Sequence, residues 1–93
     1  MGYEYRLSAP NTTRLALSQA YKNISRLAGA SSSEQQIELR TNGHDGMPDA
    51  TVMLDEDSLY FCDHGGAGKE FLGRVIELLV SSLGAIVVTE HEQ

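Results

Sequence analysis

The stretch Leu59-Tyr60-Phe61-Cys62-Asp63-His64-Gly65-Gly66-Ala67-Gly68-Lys69 decides how this chain is read: a short β-prone run breaks into glycines and then opens a strongly apolar helix. From Lys69 to Leu83, the residues Phe71, Leu72, Val75, Ile76, Leu78, Leu79 and Leu83 cover a wide arc, leaving Glu70, Gly73, Arg74, Glu77 and Ser81 as a narrow polar strip. The spacing predicts a helix buried over most of its circumference. Gly84 stops it, because glycine enters the left-handed region without steric cost, and the β-branched Ala85-Ile86-Val87-Val88-Thr89 predicts a last strand.

Upstream of the opening stretch, Thr51–Leu54 and Ser58–Cys62 flank Asp55-Glu56-Asp57, a short polar connection between two β-prone runs and hence a hairpin. Gln35 to Arg40 alternates with Ile37 and Leu39 inward, as a half-buried strand does, and residues 41–49 combine two glycines and a proline with no apolar period, as a loop does. Ala30 to Ser33 reads as a polar turn. Further back, Leu17, Ala20, Tyr21, Ile24, Leu27 and Ala28 recur at steps of three and four and predict a first helix from Asn11 to Ala28, with Asn11 or Thr12 as N-cap and Gly29 as stop. Tyr3-Glu4-Tyr5-Arg6-Leu7 alternates as a first strand with Tyr3, Tyr5 and Leu7 inward.

The order is therefore β-α-β-β-β-α-β, one domain over residues 1–93. A chain of this length carries a single two-layer core. The economical solution is an α+β sandwich of ferredoxin-like character, two helices on one face of a mainly antiparallel sheet. The other face then shows Glu4, Arg6, Glu38, Arg40, Thr51, Met53, Tyr60, Cys62, Val87 and Thr89. Met53, Tyr60, Cys62 and Val87 make it more apolar than a solvated face needs to be.

A net charge of −6 argues against general affinity for nucleic acid, whose binding depends on cations that displace phosphate counterions. The charge is uneven: residues 1–40 hold five basic and three acidic side chains, residues 41–93 two basic and ten acidic. The first helix carries Arg14, Lys22 and Arg26 and no acid, which is the pattern of a solvated helix face. The single cysteine, Cys62, excludes an intramolecular disulfide and a cysteine-based structural zinc site. With no signal-like N-terminus and no long apolar run, the expectation is a cytoplasmic protein without membrane spans.

Three places could carry chemistry. Gly65, Gly66, Gly68 and Lys69 lie between a strand and a helix, where free amides and the helix dipole can hold an anion. The spacing fails as a P-loop, since Asp63 stands where the first glycine should be and Glu70 where a magnesium-binding hydroxyl should be. Cys62 and His64 share a face if the strand continues, which permits an imidazole-assisted thiol. His44, Asp45, Asp49, Asp63, His64 and His91 match no spaced ligand motif, so no metal and no cofactor is expected. The composition favours a non-enzymatic interaction or adaptor domain, acting as a homodimer or as an acidic inhibitor of a basic partner through the face of Met53, Tyr60, Cys62 and Val87. The alternative is a binder of small anionic ligands at residues 65–69.

Overall fold

The computed structural model describes residues 3–33, 35–41 and 47–91. It contains β1 (Tyr3–Ser8), α1 (Arg14–Ile24), β2 (Ala30–Ser32), β3 (Ile37–Leu39), β4 (Ala50–Leu54), β5 (Leu59–Asp63), α2 (Gly68–Leu83) and β6 (Val87–His91). These form an α+β fold: two helices on a six-stranded antiparallel sheet of order β2-β3-β4-β5-β1-β6.

Each helix boundary has a local cause. Asn11 takes a positive φ of 63° and turns the chain, so the cap falls on Thr13 instead of Asn11 or Thr12. Thr13 is extended, and its hydroxyl accepts from Ala16 N at 3.1 Å. α1 also stops short of Ala28. The Ser25 hydroxyl donates to the Lys22 carbonyl, and Ser25, Arg26 and Leu27 donate to carbonyls three residues back, tightening the chain out of the α-helix. α2 ends at Gly84, whose φ is 92°, as its sequence predicts.

The main departure from the sequence reading is β2. Ala30 to Ser32 is not a turn but an edge strand, with Ala30 opposite Leu39 and Ser32 opposite Ile37. Serine has weak local preference for strands, so distant pairing decides here. Gly29 makes that pairing possible: at φ 87° its carbonyl accepts from Arg40 N at 2.9 Å, and a Cβ would overlap the Arg40 carbonyl oxygen.

The inner strands β4-β5-β1-β6 show why the ferredoxin-like reading holds. All neighbours are antiparallel, so β1 and β4 run parallel on either side of β5, and β5 and β6 run parallel on either side of β1. α1 belongs to the first of these split β-α-β units and α2 to the second. The β2-β3 hairpin extends the sheet beyond β4.

One side of the sheet meets the helices. Leu7, Ile37, Leu39, Ala50, Val52, Leu59 and Phe61 pack with Leu17, Ala20 and Ile24 of α1 and Phe71, Val75 and Leu79 of α2. Each large aliphatic or aromatic side chain buried this way contributes about 1.5–3 kcal/mol. The Tyr21 hydroxyl donates to the Val52 carbonyl and holds α1 over β4. Arg14 Nη1 donates to the Glu56 carbonyl, docking the start of α1 on the hairpin turn, while Lys22 and Arg26 are exposed.

Candidate interaction face

Because side chains alternate along a strand, the residues opposite the core set form the second face of the sheet. The register aligns them in rows across the strands. One row runs Glu38, Thr51, Cys62, Glu4, and the next runs Met53, Tyr60, Arg6, Thr89. Val87 falls opposite Ser8, in a further row. No described helix packs on this side.

The first row is polar and internally bonded. Glu38 accepts from Arg40 at 2.8 Å, and the guanidinium beside it holds its carboxyl below the usual range. Gln36 adds a second donor to the same carboxylate at 3.3 Å. Thr51, only 7 % exposed, sits within this row. Its hydroxyl lies 3.2 Å from His64 Nε2 and is also hydrogen-bonded to Cys62, so it bridges the two residues that sequence spacing alone would pair.

The thiol of Cys62 points to the Glu4 carboxylate, with the sulfur 3.8 Å from Oε1. Burial pushes the thiol above its ordinary pKa, and Glu4, which repels a thiolate, pushes the same way; the Thr51 hydrogen bond acts in the opposite sense. A thiol with a raised pKa is mostly protonated at neutral pH and is the reverse of an activated nucleophile. Iodoacetamide at pH 8 is therefore expected to alkylate Cys62 several-fold more slowly than free cysteine, with the rate still climbing above pH 9. A faster rate, or a plateau below pH 8, would contradict this electrostatic picture.

The second row is the apolar one. Met53 and Tyr60 lie directly opposite each other, and Met53 is 41 % exposed. The Arg6 guanidinium sits 5.9 Å from the Tyr60 ring centroid, close enough to favour the ring face. Of the four residues expected to share this surface, the fold pairs Met53 with Tyr60 and sets Cys62 in the neighbouring polar row. Val87, on the outermost strand, is separated from Tyr60 by β1 and by Arg6.

The glycine turn lies at the opposite end of β5 from the hairpin, and it is filled by the protein's own carboxylates. Asp63 is 4 % exposed, and its Oδ1 accepts from Gly65 N at 2.9 Å. Gly68, the first residue of α2, lies against that carboxylate: a Cβ there would sit 2.6 Å from Asp63 Cγ and 2.9 Å from the Asp49 carbonyl. A Cβ on Gly66 would sit 2.7 Å from Asp49 Oδ1, and Asp49 also accepts from the amide and hydroxyl of Thr41. The positive end of α2 thus already has an acidic neighbour. Lys69 is exposed. The sequence reading missed both roles: an aspartate two residues before a glycine, the pattern of an Asx-type turn, is the local signal for Asp63, whereas nothing local marks Asp49, fourteen residues upstream.

Among the described residues no three of His, Cys, Asp or Glu converge as a metal cluster would require, and no helix is long and apolar enough to cross a membrane. His44 and Asp45 lie outside the described residues. Two concavities flank the helices: about 370 Å³ between Pro10, Arg14 and Glu56, and about 260 Å³ between Gly29, Arg40, Phe71 and Arg74. No protein-family model matches the chain, and neither the curated proteins nor the solved structures contain a match to it.

Proposed function

We propose that this chain is a non-enzymatic protein-interaction domain that binds a basic partner through the face of Met53 and Tyr60. The observation that carries the reading is the apposition of these two side chains on a sheet face that no described element covers, beside the acidic turn Asp55-Glu56-Asp57. Large flexible or aromatic side chains at the centre of a patch, with charges at its rim, are the composition of binding surfaces. The rim supplies attraction at long range to a cationic partner, and the centre supplies the buried contact. The raised pKa of Cys62 and the carboxylate-filled glycine turn support a binding role over thiol chemistry or anion capture.

Affinity capture with three baits tests this: the native chain, Met53→Asp, and Leu15→Ser as a control on the exposed side of α1. The expected result is a basic protein retained by the native and Leu15→Ser baits, released by Met53→Asp, and weakened by rising salt. A partner indifferent to Met53, or one that is acidic, would overturn the assignment.

A further inference from the structure

We propose that two copies of this chain pair through the outer edge of β6, continuing the antiparallel sheet across a two-fold axis. The two edges of the sheet are built differently. β2 is three residues long and polar, the kind of edge that resists pairing with another chain. β6 is five residues long, carries no proline, lysine or arginine, and keeps an unbroken ladder with β1 from Ser8↔Val87 to Glu4↔His91. Being last in the strand order, it presents its outward backbone groups without a sheet partner among the described residues. Its valines are exposed on both faces, Val87 at 48 % on the open side and Val88 at 43 % on the helix side.

Charge selects a second copy as the occupant. A chain of net charge −6 repels its own kind except where its surface lacks charge. Leu78 to Thr89 contains no charged residue at all, the longest such run in the sequence, and it includes both the end of α2 and most of β6. Within that run a basic partner finds no anion, the nearest being Glu77 before it and Glu90 after it. With the two-fold at Val88, antiparallel pairing sets Val88 against Val88 of the second copy, Val87 against Thr89, and Ile86 against Glu90. Every central pair is β-branched, and no like charges oppose.

A five-residue strand pair alone buries less than the roughly 800 Å² per partner of a stable interface. α2 supplies the remainder. Arg74, Glu77, Leu78 and Ser81 share a groove with Leu27, which places that flank of α2 towards α1. At about 100° per residue, Leu72, Ile76, Val80 and Leu83 form the other flank, and Val80 is 44 % exposed. The two-fold runs perpendicular to the sheet, so both Met53–Tyr60 faces lie on the same side of the dimer. A bivalent partner then gains avidity without new contacts.

Light scattering on the full chain across a concentration series tests the edge separately from the open face. The native protein is expected at twice the chain mass in the tens-of-micromolar range. Val88→Lys should raise the dissociation constant about tenfold or more, with an unchanged circular dichroism spectrum, because it sets two lysines opposite each other at the axis. Met53→Lys should leave the dimer intact. Independently of folding effects at Val88→Lys, a Val88→Cys, Cys62→Ser chain should form a covalent dimer under mild oxidation. A native chain that is monomeric at millimolar concentration overturns the inference. So does a dimer lost in Met53→Lys but kept in Val88→Lys, which would place self-association on the open face.

Discussion

Gly68→Ala is expected to cost about 3 kcal/mol of folding stability, the upper part of the range for forcing a methyl group into filled space. The added Cβ would overlap Asp63 Oδ1 and approach the Asp49 carbonyl to 2.9 Å. Neither neighbour can retreat freely: Asp63 Oδ1 is fixed by Gly65 N, and the Asp49 carbonyl accepts from His64 N at 2.9 Å. For a domain of this size the change lowers the melting temperature by about 10 °C or more. Thermal melts of a double-mutant cycle check the cause. If Asp63 is the obstacle, Gly68→Ala in an Asp63→Ala background should cost clearly less than in the native chain. Equal costs in both backgrounds would assign the effect to the Asp49 backbone instead.

Phe61→Ala is expected to be the most damaging single truncation, with a loss of about 3–5 kcal/mol. Phe61 is fully buried at the middle of β5, which lies between β4 and β1, and its ring packs 6.4 Å from that of Tyr5. Small domains hold only about 5–15 kcal/mol in total, so much of the stability goes with this one side chain. Urea titration should show a midpoint shift with a nearly constant slope. Met53→Ala on the opposite face should move the midpoint little. A large loss at Met53 with a small one at Phe61 would mean that the faces had been assigned the wrong way round.

Where a residue's neighbours in sequence are also its neighbours in space, the chain could be read without its structure. The alternation in Ile37–Leu39 and Leu59–Cys62, and in Tyr5–Leu7 of β1, assigned core and open faces correctly, because period two leaves only two choices. Tyr3, expected inward, is 53 % exposed because it stands at the end of β1, beyond the helices' cover. The helix over Lys69–Leu83 and its stop at Gly84 were equally plain. The failures have a common origin. Ser25 could have continued a helix, and Ala30–Ser32 could have remained a turn. A hydroxyl-to-carbonyl bond decided the first, and pairing to residues 37–39 the second. The candidate site was legible to the same degree. Met53 and Tyr60 were placed on one face by period alone, whereas the distance of Val87 from them followed from strand order, which no local pattern encodes.

By itself, the sequence determined the α+β class, the element order apart from β2, the inward set of side chains apart from Tyr3, and the acidity of the second half. These depend on local periodicity, turn chemistry and composition. Only the tertiary structure decided that Thr51 stands between His64 and Cys62, that Asp49 and Asp63 fill the glycine turn, and that the uncharged run through Thr89 ends in an edge strand. Each of those facts joins segments far apart along the chain. Their proximity is set by which strands pair across the sheet, a choice governed by burial of the whole core and carried by no single stretch of residues.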